Sequence, residues 1–284
     1  MGQTTCRIEV PAPPAVLVAG AAWSWTARAS DPRLLDPVGV VWRWVPPGRF
    51  RMGARGYYAA EEPTHDVEVG EGFWILETPV TQAQWLAVHG GESPAYEQGT
   101  PDWREHPVER VTWPMARDWC AELERVARKT LPVGGPIGLP SEVQWEYACR
   151  AGSHSEFCNG DGEECLARVG WFAGNSGGRS HPVGRKDANA WGLYDMHGNV
   201  NEWCSDVYVA DAYERAVEGR GDEDKSQSVV GDTAPRVIRG GSYACRAVDC
   251  RSAVRDGRWR PDLGGGVNGF RACLYPGSGT SLCQ

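Results

Sequence analysis

The sequence predicts one α+β domain in which short strands and a few helices are joined by long loops. The chain has 36 glycines and 20 prolines among its 284 residues, and these residue types mark turns and loops. It also has 14 tryptophans, whose large apolar surfaces can anchor a core between irregular segments. Only three segments have a clear helical pattern, and no internal repeat with the period of a solenoid or propeller is found. A loop-rich fold pinned by aromatic side chains is therefore expected.

Composition and charge exclude several functional classes. Hydrophobic residues make up 41% of the chain and charged residues 23%, which is typical of a globular domain with a buried core. The formal net charge of −8 disfavours a groove for nucleic acid, because phosphate backbones are bound by excess positive charge. No apolar run approaches the roughly 18 residues of a membrane span. We expect neither a nucleic-acid partner nor a membrane span.

The first expected elements are strands that follow an N-terminal extension. Residues 1–40 are rich in proline and alanine, and we interpret them as an extension with an edge strand ahead of a domain spanning residues 41–284. Residues 42–45 and 66–69 alternate as half-buried strands do, and the Pro-Pro-Gly at 46–48 predicts a turn after the first. The domain is therefore expected to begin with β structure.

Three helices are expected in the first half of the chain. The first covers residues 81–88, and the second covers 114–129 with Thr112 as its N-cap. The third begins at a capping box over 141–144 and stops at Gly152. No comparable helix is expected after that glycine. The second helix has an apolar stripe formed by Trp119, Leu123, Val126 and Ala127.

The ten cysteines bear on the cellular compartment. That number is high for a reducing compartment. However, residues 1–6 lack the basic start of a signal peptide, and the apolar stretch at 16–23 is short. We therefore expect a cytoplasmic protein. Cys120, Cys149 and Cys204 lie among aromatic or aliphatic neighbours, and we interpret them as small buried hydrophobic residues.

A series of motifs runs through most of the chain in a fixed order. The first half contains GRFRMG at 48–53, EPTHDV at 62–67, TPVTQAQW at 78–85, HPV at 106–108 and LPSEVQWEYACRAG at 139–152. The second half contains HPVG at 181–184, NAWGLYDMHGNV at 189–200, RGGSY at 239–243, CRSA at 250–253 and GFR at 269–271. In this order, over roughly residues 42–273, the chain resembles the formylglycine-generating-enzyme (sulfatase-modifying factor) superfamily. The resemblance implies a C-type-lectin-like fold with small antiparallel sheets and a few helices.

Residues 195–202 present the oxygen donors that calcium prefers. Asp195 and Glu202 flank small residues, and the carbonyls of Gly198 and Val200 can point inward between them. From the residues alone, a turn capped by Asp195 remains open. The resemblance implies a calcium site at these four positions, where the family uses an Asn or Asp, two backbone carbonyls and a Glu. A structural calcium ion is therefore expected.

Cys245 and Cys250 raise the question of catalysis. Two thiols five residues apart could bind a soft metal such as copper(I), form a strained disulfide, or be unrelated buried groups. The resemblance implies copper(I) ligation by both cysteines in oxidases that convert a substrate cysteine to formylglycine, with Ser242 as a further active-site residue. Two departures from the family pattern argue against catalytic residues in this chain, because Asn201 and Asp249 stand where catalytic members carry aromatic residues. Without those aromatic walls, a peptide is expected to be held less well.

The C-terminal motifs also resemble a second branch of the superfamily, the variable proteins of diversity-generating retroelements. That branch displays a ligand-binding surface between its Arg-Gly-Gly-Ser and Gly-Phe-Arg motifs, here residues 239–271. Small, charged and aromatic side chains interrupt the family pattern in this region, which suits an exposed binding face, although a divergent loop would look the same. The residues interpreted as ligand-binding are Tyr243, Ala244, Cys245, Arg246, Val248, Asp249, Val254, Asp256, Arg258, Trp259 and Leu263.

These observations lead to two functional hypotheses. The first is a binding protein for a protein or other macromolecular ligand, with calcium as its structural ion. The second is a copper-dependent formylglycine-generating oxidase, the only case in which copper is expected. Fold resemblance alone does not decide between them, because function depends on the site.

Overall fold

The computed structural model describes residues 24–28, 31–35, 39–95, 101–128, 135–219 and 234–275. Most of the expected N-terminal extension, together with Cys6 and Cys283, lies outside these ranges. Within them the helices are α1 (Gln82–His89), α2 (Trp113–Ala127), α3 (Glu142–Arg150), α4 (Glu163–Val169) and α5 (Ala212–Val217). The strands are β1 (Ser24–Arg28), β2 (Asp31–Leu35), β3 (Val41–Val45), β4 (Gly48–Met52), β5 (His65–Val69), β6 (Phe73–Leu76), β7 (Ile137–Gly138), β8 (Gly170–Trp171), β9 (His197–Gly198), β10 (Asn201–Val207), β11 (Arg236–Arg239), β12 (Arg255–Asp256), β13 (Asn268–Gly269) and β14 (Cys273–Leu274).

The three predicted helices are present, and the N-caps predicted for the second and third, Thr112 and Ser141, are confirmed. Thr81 and Ser141 each accept a hydrogen bond from the backbone of a glutamine three residues later, and the glutamine side chain bonds back to complete a capping box. Two details differ from the prediction. Val126 is 45% exposed, because the buried face of α2 lies to one side of it. Helix α3 ends at Ala151, which takes the left-handed conformation (φ 45°) one residue before the expected glycine.

A six-stranded antiparallel sheet divides the core. Its strand order is β1-β2-β3-β6-β14-β7, so β1 and β2 from the expected extension form one edge. Alternate side chains of β6 enter two different clusters: Trp74 and Leu76 pack with α1 and α2, whereas Phe73 and Ile75 pack with α3. Because both faces are covered, the central strand β6 is apolar throughout rather than alternating.

Strand β3 departs from the expected alternation for the same reason. Arg43 is buried rather than solvent-facing, and its Nε donates to Glu77 Oε2 at 2.7 Å. The ion pair satisfies the charge that the covered sheet would otherwise leave unpaired. The prediction that residues 42–45 form a strand is confirmed, and the prediction that one face is exposed is wrong.

A second, four-stranded sheet carries the C-terminal motifs. Its order is β12-β11-β10-β13, with β10 and β13 parallel, and the small β8–β9 pair is also parallel. These two short pairs depart from an all-antiparallel expectation. The connection from β11 to β13, residues 240–267, contains only a short 3₁₀ helix (Ala247–Cys250) and β12. This connection positions the candidate site.

The cysteines are buried as predicted. Cys120, Cys149 and Cys204 lie inside the two main clusters with at most 1% exposure. All eight cysteines in the described residues carry free thiols. None of the helices there has the length and apolarity of a membrane span.

Candidate ligand-binding site

Two buried arginines fix the 240–267 connection to the body of the protein. Arg251 donates from both terminal nitrogens to the Glu61 carboxylate at 2.9 and 2.8 Å. Arg255 donates from Nε and Nη2 to the Glu142 carboxylate, at 2.7 Å in each case. Bidentate pairs of this kind add geometric specificity to charge attraction. The backbone between these anchors is therefore held while neighbouring side chains point outward.

A third buried arginine links the start of the connection to α3. Arg239 pairs with Glu146 and with Glu142. Burial alone would raise the pKa of Glu146, but the charges of Arg239 and Arg150 lower it on balance. Glu146 therefore stays ionised inside the core, and the Arg239 end of the connection is anchored as firmly as its middle.

A pocket of about 740 Å³ opens between this connection and the four-stranded sheet. Three of the predicted ligand-binding residues lie outside it. Tyr243 is half-buried, and its carbonyl accepts from Ser176. Val248 lines a smaller neighbouring pocket, and Leu263 is 57% exposed elsewhere on the surface. The other eight line the pocket: Ala244, Cys245, Arg246, Asp249, Val254, Asp256, Arg258 and Trp259.

Sequence reasoning missed the contribution of distant segments to this pocket. Tyr58, which precedes a short 3₁₀ helix (Ala59–Glu61), lines it together with Tyr208 at the end of β10. The Tyr58 hydroxyl donates to Asp249 Oδ1 at 2.6 Å, and Arg246 Nη2 donates to the same hydroxyl at 3.1 Å. The one signal in the sequence was a pair of adjacent tyrosines in a polar loop. Nothing local connects that pair to residues almost 190 positions later.

The pocket has aromatic walls despite Asn201. Trp259, Tyr208 and Tyr58 all line it. Gly257 lies against the ring of Tyr208, where a Cβ would collide with the ring, so the chain needs glycine at this close approach. Asn201 and Asp249 lack the aromatic rings that catalytic members carry there, but other rings enclose the pocket. They come from positions outside the family motif.

Two ion pairs stand at the rim of the pocket. Arg246 holds Asp249 through Nε (2.9 Å) and Nη2 (3.2 Å), and Arg258 holds Asp256 through Nε (3.0 Å) and Nη2 (2.9 Å). The arginine side chains are 74% and 89% exposed, whereas the aspartates are 27% and 18% exposed. Partial burial would raise the pKa of Asp249, but hydrogen bonds from Arg246 and Tyr58 and the charges of Arg246 and Arg258 lower it on balance. The rim therefore presents ionised pairs with the positive member outermost.

The two candidate copper ligands differ in access. Cys245 lines the pocket, and its Sγ lies 3.3 Å from Ser242 Oγ. Cys250 is fully buried among Phe157, Leu166 and Phe172, and its Sγ contacts the Ser242 carbonyl at 4.0 Å. Burial raises the pKa of the Cys250 thiol, and the charges of Cys245 and Asp249 raise it further. Both sulfurs border Ser242, but only one faces the pocket.

The four predicted calcium ligands are all buried, and they lie in and just before β10. Glu202 accepts from Arg271 on both oxygens, at 2.7 Å each, and from Trp145 Nε1 at 2.7 Å. Asp195 accepts only neutral donors, from Gly184 N at 2.7 Å and from Asn199 Nδ2 at 3.3 Å. Burial raises the pKa of Asp195 to about 6.

These contacts bear on whether calcium fits. In the part of the chain that the structure describes, no three His, Cys, Asp or Glu side chains converge as a metal cluster. Asp195 is, however, a buried carboxylate with no ion pair to any other described residue, and a cation would balance that charge. Of the two predicted carboxylate ligands, Glu202 already binds Arg271 and Trp145, so Asp195 is the group whose charge a calcium ion would neutralise. Calcium stays a prediction.

Comparison with known proteins supports the fold and the family. The structure is similar to Treponema denticola variable protein 1, with a TM-score of 0.70 and 24% identity over 90% of this chain and 100% of that one. The sequence is 32% identical to the formylglycine-generating enzyme of Streptomyces coelicolor over 78% of this chain and 68% of that protein. It is 30% identical to the serine/threonine-protein kinase pkn1 of Chlamydia caviae over 79% of this chain.

The segment that this chain shares with the Chlamydia kinase is about as long as one domain. This chain spans 36% of the length of the Chlamydia kinase, so the likeness does not extend to that whole protein. Residues 34–274 match the family model for the sulfatase-modifying factor enzyme 1-like domain. That match covers most of the chain and begins within β2. The chain therefore belongs to the family of proteins with a sulfatase-modifying factor enzyme 1-like domain.

Proposed function

We propose that this chain is a binding protein that uses the 740 Å³ pocket and its rim to hold a polypeptide ligand, in the manner of a retroelement variable protein. One observation carries the proposal: outward-pointing side chains between residues 244 and 259 surround a pocket while buried arginines hold the backbone beneath them. Tryptophan, tyrosine and arginine at the pocket are the residue types that dominate protein interfaces. A firmly held backbone that presents exposed side chains around a pocket suits the binding of a ligand.

The similarity to a variable protein supports the same proposal. At 24% identity, this similarity supports the shared fold, and the pocket supports the proposed binding of a ligand. The partner is proposed to be a protein or another macromolecule with a protruding segment. A concave, partly apolar site with a few polar groups is the usual form of such a binding site.

A selection experiment tests the proposal. A random peptide library displayed on phage is panned against the immobilised chain, and enriched peptides are measured against wild type and Trp259→Ala. Leu263→Ala is the matched control, because Leu263 is exposed but outside the pocket. We expect enriched peptides whose binding is lost with Trp259→Ala and kept with Leu263→Ala. Enrichment of no peptide that depends on Trp259 would contradict the proposal.

The copper oxidase is the second candidate. Its supporting observation is that Cys245 and Cys250 both border Ser242, so these two sulfurs would hold copper(I). The bound metal would supply oxygen-dependent oxidation of a substrate thiol, while Cys245 and Ser242 would contact the substrate from the pocket. Opposing it, burial disfavours the Cys250 thiolate that a soft metal needs. The reduced chain, loaded with copper(I) and given a Cys-x-Pro-x-Arg peptide and oxygen, is expected to yield no aldehyde by mass spectrometry.

Two further features belong to the proposal. Calcium would have a structural role at Asp195, Gly198, Val200 and Glu202, next to the strand that supports the pocket. The cytoplasm is the proposed compartment, and the free thiols of the eight described cysteines are consistent with reducing conditions.

A further inference from the structure

We infer that the pocket selects an acidic polypeptide segment, one in which carboxylates flank a large apolar side chain. This inference rests on the proposed binding function and names the chemistry of its ligand. It depends on the orientation of two rim arginines, the exposure of their charges, and the walls between them.

Each rim arginine, Arg246 and Arg258, binds its aspartate through Nε and Nη2, and Arg246 Nη2 also donates to the Tyr58 hydroxyl at 3.1 Å. Among the described residues, neither Nη1 has a hydrogen-bond partner. Because the guanidinium is a rigid planar fork, fixing one edge fixes the direction of the other. The aspartates therefore act as orienting groups, and Nη1 of each arginine remains as a donor for an outside acceptor.

The exposure of these groups gives the rim an outward positive charge. The arginine side chains are 74% and 89% exposed while the aspartates are 27% and 18% exposed. An approaching ligand therefore meets the cations first. This local display of cations contrasts with the net charge of −8 for the whole chain, so the rim is the place where an acidic ligand is expected to be attracted. Complementary charge of this kind sets orientation and association rate.

The space between the arginines suits an apolar anchor. Trp259 and Tyr208 supply aromatic walls to the pocket, and Trp259 also packs against the main hydrophobic cluster. Asn201 lies in the lining, and its Nδ2 donates to Asn268 Oδ1 at 2.9 Å. The remaining Asn201 Oδ1 has no partner among the described residues and can accept from a ligand backbone N–H. A peptide segment with one buried side chain and flanking carboxylates satisfies all three features.

The test uses three fluorescein-labelled peptides that share a central tryptophan. In the first it is flanked by glutamates, and in the others by glutamines or by lysines. Anisotropy titrations are run with wild type, with the double variant Arg246→Gln/Arg258→Gln, and with Arg260→Gln. Arg260 is the matched control, because it is an exposed arginine paired with Asp262 but does not line the pocket.

We expect the glutamate peptide to bind about tenfold or more tightly than the glutamine peptide, and the lysine peptide to bind least. The double variant removes that preference, and Arg260→Gln keeps it. Affinity for the glutamate peptide falls between about 50 and about 500 mM salt. Equal binding of the glutamate and glutamine peptides to wild type would overturn the inference. A phosphoserine peptide that binds while the glutamate peptide does not would also overturn it.

These failures are distinguishable from failure of the proposed function. If phage selection returns Trp259-dependent peptides that are neutral or basic, the pocket is a binding site and only the acidic preference is wrong. If it returns no Trp259-dependent peptide and the glutamate peptide also fails to bind, the binding function itself is wrong. Thermal unfolding of every variant checks that lost binding does not reflect lost folding.

Discussion

Two neighbouring regions of this molecule are rich in charged side chains but use them differently. In the 195–202 segment, Glu202 is buried, and both of its oxygens bind Arg271. In the 244–259 loop, Arg246 and Arg258 bind aspartates but keep side chains that are 74% and 89% exposed. The first region holds strands together, and the second offers hydrogen-bond donors to something outside. Sequence composition alone does not separate these roles, because both segments contain acidic residues in glycine-rich or turn-rich surroundings.

The same contrast exists inside the loop, between two arginines of opposite burial. Replacing Arg251 by alanine leaves the buried Glu61 carboxylate unpaired, which should lower the free energy of unfolding by about 3–5 kcal/mol. Replacing Arg246 by alanine removes an exposed pair and should change that free energy by less than about 0.5 kcal/mol. Urea denaturation of both variants measures the difference. Similar losses in the two variants would mean that the loop is not divided into anchors and displayed residues.

Calcium binding tests whether the buried 195–202 segment has a structural role. If calcium binds, a concentration one hundred times its Kd should stabilise the fold by about 2.7 kcal/mol. Differential scanning calorimetry with calcium and then with EDTA should show the melting temperature rise and fall. The same scans of Asp195→Asn should show no calcium response. A wild-type melting temperature that is the same in calcium and in EDTA would mean that the protein binds no structural calcium at this segment.

The pocket should depend strongly on Trp259 for binding. Trp259→Ala should weaken a selected peptide by about 2 kcal/mol, since buried aromatic residues dominate interface energies. Because Trp259 is half-buried against the core, some stability is also lost, and the melting temperature should be recorded beside the affinity. Leu263→Ala should leave the affinity unchanged. An equal loss of affinity in the two variants would place the ligand outside the pocket.

The smallest expected effect concerns the link between the pocket and the N-terminal half. Tyr58→Phe removes the hydrogen bonds to Asp249 and from Arg246 but keeps the ring. Affinity for the selected peptide should fall by about 1 kcal/mol or less, because the rim is then less firmly oriented. Tyr57→Phe is the control, since the Tyr57 hydroxyl contacts Glu156 and not the rim. A loss with Tyr57→Phe as large as with Tyr58→Phe would count against a specific role for Tyr58.

The sequence predicts much of the fold and part of the site. The N-cap Thr112 and the capping box at Ser141 predict two helix starts because their hydrogen bonds are local. The burial of Arg43 could not be predicted, because it depends on Glu77 across the sheet. The pocket likewise contains residues that the sequence alone could not place there. The 244–259 side chains could be proposed from a departure in a motif, whereas Tyr58 reaches the site only through long-range packing.

Hydrogen–deuterium exchange locates a bound peptide on the chain, and it therefore tests whether the pocket formed by the 244–259 loop is the ligand-binding site. Exchange of the wild-type chain is measured with and without a saturating peptide from the phage selection. When the peptide is bound, we expect slowed exchange in residues 244–259 and around Tyr58, with little change in the Asp195–Glu202 segment. Protection that appears elsewhere and leaves the 244–259 loop unchanged would contradict this expectation.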